Sequence, residues 1–319
     1  MEAEMIYITE EDVRRLLSMD RAIKSIEKAF HELGTGSGNN IPRSRVQLPN
    51  QTLHVMSAGS TELNYTGLKA YTTTQSGAQF LVILFQGNSG DPVAIIEADL
   101  LGQIRTGAAS GIATKYLANE EATTVGIIGT GWQARSQLEA VSKVRAITLA
   151  KAYGRDKNRR EKFCLEMTEK LGLPVKPVDN PMDCITFAEI VITITSSECP
   201  VLQGAWLRPG AHVNAAGSNS VQRREIDLEA VKKSNVVVVD SKDQAKLESG
   251  DLLEPIKQGA LSWESVSELA AVIVGDVPGR VNTTDITLFE SQGIAMEDVA
   301  VASLVYEQAK VQNIGQKIG

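Results

Sequence analysis

Gly129, Gly131 and Ala134 stand in the order GxGxxA, directly after the apolar run 123–128 and directly before WQARSQLEAVSKV, a segment with helical periodicity. In that context each small residue has a task. One glycine lets the chain turn tightly at the end of a strand, a second lets the backbone approach a pyrophosphate, and a small third residue lets the helix pack close to the strand. The helix N-terminus then meets the negative charge with its N–H groups and the positive end of its dipole. The chemistry indicated is dinucleotide binding. At the end of the next strand an acidic side chain would hold a ribose 2′-hydroxyl, whereas basic ones would accept a 2′-phosphate. Gly154 takes the place of the acid and is followed by Arg155, Lys157, Arg159 and Arg160, with Asp156 the opposing charge. NADP(H) is therefore expected in preference to NAD(H).

The elements that position this motif follow from the pattern around it. From 123 onward strand-like and helical segments alternate, including a charged amphipathic stretch at 157–171, and the runs 190–194, 212–215 and 236–239 are short and β-branched, as buried parallel strands are. An α/β fold with a doubly wound parallel sheet of roughly five or six strands is expected. Upstream, Thr9 followed by Glu10, Glu11 and Asp12 reads as a helix start, and Met19, Ile23, Ile26, Phe30 and Leu33 recur at helical spacing until Gly34 and Gly36. Region 43–97 changes to short apolar runs separated by Asn, Gly and Pro, an antiparallel meander. The small residues of 100–117 suit a helix that packs closely on another backbone and bridges two domains. The final helix, 296–311, is expected to return to the first domain.

With 319 residues, 43% hydrophobic and 22% charged, the chain has the balance of a folded protein of two domains rather than of a disordered one. Lys plus Arg is 32 against 39 Asp plus Glu, so no global positive field gathers nucleic acid or anionic lipid. Cys164, Cys184 and Cys199 lack paired spacing, which favours a reducing compartment over a disulfide framework. There is no CxxC or Cys/His cluster, and no metal is expected. No basic stretch leads into an apolar core at the start, and no run of about 18 apolar residues occurs. A soluble, cytoplasmic protein is expected.

The stretches GLKAYT at 67–72, RTGAASGIATKYLA at 105–118, VGIIGTGWQA at 125–134 and HVNAAGSN at 212–219, with EIDLEAV at 225–231, ESGD at 248–251 and DITLFESQGIAMEDVAVA at 285–302, resemble the ornithine cyclodeaminase and mu-crystallin family over nearly the whole chain. That family contains cyclodeaminases, alanine and other amino acid dehydrogenases, and reductases of cyclic ketimines. The resemblance implies a Rossmann domain, here 119–294, and an α+β substrate and dimerisation domain, 1–118 joined by 295–319, whose sheet pairs two subunits. It also implies a nicotinamide that exchanges hydride, between the two domains, with the α-carbon of an amino acid or of its 2-imino form.

The residues matching the family's substrate positions are Arg45, Lys69 and Arg105. They are chemically coherent, because an α-carboxylate in a dry cleft needs cationic donors and a guanidinium grips both oxygens. Arg43, two residues from Arg45 and on the same face of a strand, can share or exchange that role. Lys69 could also orient an imine and pass a proton if burial and cationic neighbours lower its pKa. His54 and Met56 fall near positions that contact the substrate side chain. Bland readings stand beside these: a surface Arg45, a snorkelling Lys69, an Arg105 in a helix-start ion pair, and a His54 with a structural hydrogen bond.

In the family's cyclodeaminases an aspartate follows the glycines after HVNAAG, and Asn219 aligns with it here. An amide binds substrate but cannot act as a general base, so Asn219 joins Lys69 and Arg105 as a catalytic candidate while full ornithine cyclisation is disfavoured. Asp227 fits a helix N-cap. The expected cofactor contacts are Thr106, Gly129, Thr130, Gly131, Trp132, Gln133, Ala134, Gly154, Arg155, Arg159, Thr195, Ser196, Ser197, Gly217 and Ser218. His31 and His212 read as structural. Trp132, Trp206 and Trp263 read as packing, although Trp132 could cover a pyrophosphate. Three functions stay open: an NADPH-dependent reductase of small 2-imino acids, with amino acid dehydrogenation its reverse; an ornithine cyclodeaminase that recycles its cofactor; and a non-catalytic protein that holds NADPH and a small ligand.

Overall fold

The computed structural model describes residues 5–318 and divides into two compact units, Met1–Arg105 with Ile294–Gly319, and Thr106–Gly293. The chain enters the first unit through β1 (Met5–Ile8), α1 (Glu10–Leu16) and α2 (Met19–Gly34). Thr9 closes a reciprocal cap on α1: its hydroxyl accepts the Asp12 N–H, and the Asp12 carboxylate accepts the Thr9 N–H at 3.1 Å. The meander follows as β2 (Gly38–Leu48), β3 (Gln51–Ser60), β4 (Tyr65–Thr74), β5 (Gly77–Gln86) and β6 (Pro92–Glu97), each antiparallel to the one before. Helix α3 (Asp99–Leu117) then begins where the Glu10 carboxylate accepts the Asp99 and Leu100 N–H groups, at 2.6 and 3.1 Å.

The second unit runs β7 (Thr124–Ile128), α4 (Trp132–Val144), β8 (Leu149–Tyr153), α5 (Lys157–Leu171), β9 (Val175–Pro177), α6 (Pro181–Ile185), β10 (Ile190–Thr193), β11 (His212–Ala215), α7 (Leu228–Lys233), β12 (Val236–Val239), α8 (Lys242–Glu248), α9 (Gly250–Lys257), β13 (Val266–Glu268), α10 (Leu269–Ile273) and β14 (Thr287–Glu290). Its eight strands are all parallel in the order β13-β12-β14-β11-β10-β7-β8-β9. The order reverses at β7, where β10 lies on one side and β8 on the other, which makes the carboxyl ends of these strands the switch point. Apolar cores cover both faces. The sheet is wider than the five or six strands expected. The additions β9 and β13 have three residues each, too short to show a period, and β14 takes its place between β11 and β12 from far along the chain.

Helix α11 (Ala295–Gln312) and strand β15 (Gln316–Ile318) return to the first unit. Its sheet has the order β15-β1-β6-β5-β4-β3-β2, with β1 parallel to β6. The four residues of β1 carry no clear alternation, so its place at this sheet is set by pairing rather than by its own pattern. Met56 pairs with Lys69 and Lys69 with Val82, so one sheet face carries His54, Met56, Lys69, Tyr71 and Val82. That face is buried beneath α2 and α11, and the sheet gives way to α11 at Gly67, where a Cβ would stand 3.1 Å from Val299 Cγ2.

The expected domain boundary at 118/119 follows α3, whereas the units divide inside that helix at Arg105/Thr106. The second half of α3 packs backbone to backbone on α4: a Cβ at Gly107 would stand 2.4 Å from the Ser136 carbonyl oxygen. Among the described residues no helix is long and apolar enough to cross a membrane. Replacing Gly107 with Ala should push α3 and α4 apart and lower stability by about 1–3 kcal/mol. An unchanged urea midpoint would contradict that packing account.

Candidate active site

The second unit carries a cradle at the β7–α4 turn. Gly129 has φ +114°, and a Cβ there would sit 2.2 Å from the Ile194 carbonyl oxygen, so glycine is required on both counts. Gly131 is the N-cap of α4, supplies no side chain, and faces open space where a Cβ would be. Ala134 is fully buried in the helix–sheet core. The first turn of α4 has no acidic residue, so its positive dipole end suits a pyrophosphate. Gln133 adds a buried Oε1 that no donor among the described residues satisfies. These features fit a bound dinucleotide. Trp132 is 47% exposed at the start of α4, so it does not pack in a core as Trp206 and Trp263 do.

At the end of β8, Gly154 lies against Thr130, where a Cβ would be 2.5 Å from the hydroxyl oxygen. Asp156 caps α5, its carboxylate accepting the Arg159 N–H at 2.9 Å. Arg155 and Arg159 are exposed, while Arg160 is buried and donates to the Gly154 carbonyl at 2.9 Å and to Asp179. The basic cluster thus separates into an outward pair and a structural arginine.

Loops after β10 and β11 bring Thr195, Ser196, Ser197, Gly217, Ser218 and Asn219 to the carboxyl edge of the same sheet. Ser196 and Asn219 are exposed, and Ser218 is buried. Glu225, unmarked by sequence reasoning as a site residue, ties these loops together: Oε1 accepts the Thr195 N–H at 2.5 Å and Oε2 the Gly217 N–H at 2.8 Å. Asp251 in turn accepts the Glu225 and Ile226 N–H groups at 2.8 and 3.0 Å. Burial pushes Glu225 up to about 7 against those hydrogen bonds, with Asp251 adding to the rise, and burial with Asp251 and Asp240 raises Glu290 well above the carboxylate range. Thr106 lies on the α4-facing half of α3, its carbonyl accepting from Gln137 at 3.2 Å. His212 is buried between Thr287 and Asn214, and Asp227 caps α7, both structural.

In the first unit, Lys69 and Arg105 are 3% and 7% exposed and share a carboxylate. Lys69 Nζ donates to Asp298 Oδ1 at 2.9 Å, Arg105 Nε donates to the same oxygen at 3.0 Å, and Arg105 Nη1 donates to Glu297 Oε2 at 2.6 Å. Arg105 lies within α3 rather than at its start. Burial lowers Lys69 to about 8, Asp298 pulling upward while Arg105 and Arg43 push down. Of the β2 arginines, Arg43 is buried and Arg45 exposed; a bulge between Ile41 and Ser44 turns Arg43 inward, where Nε donates to Met56 Sδ at 3.3 Å. His54 is stacked on Tyr71 with centroids 4.2 Å apart and touches Thr73, and burial with Arg45 and Arg43 holds it down to about 4. Sequence reasoning passed over Glu297 and Asp298. Their signal was present: adjacent carboxylates inside AMEDVAVA, where every neighbour is apolar.

A parallel doubly wound sheet with a glycine cradle at its reversal point defines the second unit as a Rossmann-type dinucleotide-binding domain, and the first unit adds a cluster of buried cations and carboxylates. The model of the ornithine cyclodeaminase/mu-crystallin family matches residues 3–313, and the chain belongs to that family. It is 35% identical over 324 residues to Delta(1)-pyrroline-2-carboxylate reductase of Bacillus cereus, covering 98% of this chain and 99% of that one. The Delta(1)-pyrroline-2-carboxylate reductase of Thermococcus litoralis, solved with NADH and L-proline, superposes with a TM-score of 0.95 at 35% identity over 98% of this chain and 100% of that one. An archaeal alanine dehydrogenase dimer with bound NAD matches with a TM-score of 0.93 at 33% identity over 99% of each chain.

The raised carboxyls predict a pH effect. Glu225 and Glu290 keep protons in the folded state where unfolded carboxyls have lost them, so their stabilisation is present at low pH and lost as pH rises through the folded values, about 7 for Glu225. His54 and His212, held down to about 4 and about 3, act in the opposite sense, but only below the ordinary histidine range. From about pH 6.5 to about pH 7.5, below the range in which Lys69 gives up its own proton at about 8 and acts in the opposite sense, the unfolding free energy should therefore fall, by up to about 1.4 kcal/mol per pH unit for each proton released, and the urea midpoint with it. A constant or rising midpoint over that interval would refute the assignment.

Proposed function

We propose that this chain is an NAD(P)H-dependent oxidoreductase that reduces the C=N bond of a small 2-imino acid, either a cyclic ketimine of the pyrroline-2-carboxylate type or the imine of a 2-oxo acid, with amino acid dehydrogenation as the reverse. The observation that carries this reading is the burial of Lys69 on an apolar sheet face with Arg43 from β2 and Arg105 from α3 beside it. Cations held out of water are suited to grip an α-carboxylate. Lys69, poised at about 8, can hold a proton at the imine nitrogen and release it near neutral pH. Arg45 extends the cationic rim on the same strand. Bound in the cradle, the reduced nicotinamide supplies the hydride, so that imine, NAD(P)H and a proton give the amine and NAD(P)+.

His54 and Met56 are the side chains we assign to the rest of the substrate. A neutral imidazole stacked on Tyr71 offers no charge to a distal ammonium, which favours apolar or cyclic side chains over ornithine. Asn219 hydrogen bonds substrate without acting as a base. On the cofactor side, Gly129, Thr130, Gly131, Trp132, Gln133 and Ala134 take the pyrophosphate, while Thr106, Thr195, Ser196, Ser197, Gly217 and Ser218 complete the contacts. Arg155 and Arg159 are exposed and Asp156 is occupied as a cap, which favours a 2′-phosphate and hence NADP(H).

The sheet face opposite Lys69 carries Leu53, Leu68, Ala70, Leu81 and Ile83, which helices do not cover fully. A second copy of the chain is the proposed occupant, in keeping with the dimer of the alanine dehydrogenase. The free thiols Cys164, Cys184 and Cys199 suit a cytoplasmic, reducing setting.

Cyclic imines, and 2-oxo acids with ammonia or amines, should drive stoichiometric NADPH oxidation. Lys69→Met should abolish turnover while leaving NADPH binding intact, and near-native turnover of that variant would remove Lys69 from the chemistry. Ammonia and proline formed from ornithine without net cofactor consumption would instead establish a cyclodeaminase. NADPH should bind at least about tenfold more tightly than NADH, with Arg155→Ala and Arg159→Ala together narrowing the difference; tighter NADH binding by the native chain would overturn the cofactor preference.

A further inference from the structure

The Lys69–Arg105 pair is organised from behind by a residue that lies on the far side of the sequence. Asp298 is in the first turn of α11, where the helix dipole favours negative charge, and it is fully buried. One of its oxygens, Oδ1, receives both cations, while Oδ2 is buried without a hydrogen-bond partner. A carboxylate so enclosed does not reach substrate. Its effect must pass through the groups it touches.

We propose that Asp298 is a positioning residue for imine reduction: it aims the Lys69 ammonium and keeps it protonated in the working pH range, locking Lys69 and Arg105 into one anion-gripping unit. This inference rests on the reductase reading given above.

Among the described residues around Lys69, no other group does this. From β2 comes Arg43, and from α3 comes Arg105, both of which oppose a second positive charge. From β3 comes Met56, directly across the sheet, and beyond it the neutral His54. The Tyr71 ring on β4 and the Phe80 ring on β5 lie 5.8 and 5.1 Å from Nζ, close enough to favour a cation weakly. Glu297, also on α11, is engaged by Arg105. Asp298 therefore supplies the negative charge in contact with the ammonium, and burial lowers the Lys69 pKa only as far as about 8 because that charge resists. Because one oxygen serves both cations, loss of its charge also leaves Arg105 less compensated in a site with little water.

The test uses full-length Asp298→Asn, which preserves shape and an oxygen acceptor but removes the charge. Two readouts are needed: the pH profile of kcat/KM for imine reduction, and the titration of Lys69 followed by NMR of 13Cε-labelled lysine, assigned with Lys69→Met. In the Asn variant the Lys69 titration should move down by about one unit or more, and the alkaline limb of kcat/KM should move with it. Turnover would then lie within about threefold of the native value near pH 6.5 and fall about tenfold or more below it near pH 8.5, with NADPH affinity unchanged. Asp298→Glu, which restores the charge, should return the limb towards its native position, and it serves as the test variant if the Asn protein does not fold; a limb displaced in the Glu variant as far as loss of charge predicts would then count against the proposal. A Lys69 titration unmoved in Asp298→Asn, or a rate lowered equally at every pH with the limb in place, would overturn the positioning role and leave Asp298 merely structural. If the native protein reduces no imine, the reductase reading fails by that result alone, and the NMR titration still decides whether Asp298 controls Lys69.

Discussion

On the buried face of the first unit's sheet, two cations converge on one carboxylate oxygen. Charges removed from water are tolerated only when partners replace the lost hydration, so Lys69 and Arg105 can occupy an apolar layer only if Asp298 and Glu297 are delivered to them. That requirement accounts for the path of the chain. The helix bearing both carboxylates comes from the opposite end of the sequence, is apolar on nearly every side, and lies close to β4 where Gly67 has no side chain to hold it off. The unit thus has a discontinuous sequence because its charge balance is completed late.

The second unit also buries carboxylates, but uses them on backbone N–H groups. Glu225 bridges the turns after β10 and β11, Asp251 receives the chain beside Glu225, and Asp240 accepts the Gln292 and Gly293 N–H groups at 2.8 and 2.6 Å. Loops at the carboxyl edge of a parallel sheet must leave their upper surface clear for a ligand, so they cannot be secured by apolar packing from above. Acceptors from below secure them instead. Burial is the main reason why several of these groups retain protons above the ordinary carboxylate range, with neighbouring carboxylates adding to the rise at Glu225 and Glu290.

In the proposed reading, the departures from the cyclodeaminase pattern fall on side chains rather than on the fold. Asn219 is an exposed amide on the loop after β11, and His54 is a ring stacked on Tyr71 whose pKa burial lowers to about 4. A reduction in which the acceptor already carries a proton needs neither a base nor a distal counter-charge, so the same scaffold suits it with few changes.

Local patterns were legible in the residues themselves: the Thr9 cap, the helical periodicity of 157–171, the β-branched strands and the glycines of the β7–α4 turn all report short-range sterics and burial, which a sequence states directly. The cations Lys69 and Arg105 were marked by their match to the family's substrate positions, not by their local pattern. What it could not state was pairing across distance. Which of Arg43 and Arg45 turns inward depends on a bulge in the pairing of β2 with β3; the placement of β14 between β11 and β12 depends on strands far away in the chain; and the roles of Glu225, Glu297 and Asp298 exist only once remote backbone groups and cations have been brought to them. Sequence alone determined the turn chemistry, the parallel sheet and the class of ligand, because those arise from neighbours a few residues apart. Tertiary structure decided the counter-ions, because a buried charge is defined by its partner, and here that partner is supplied from the other end of the chain.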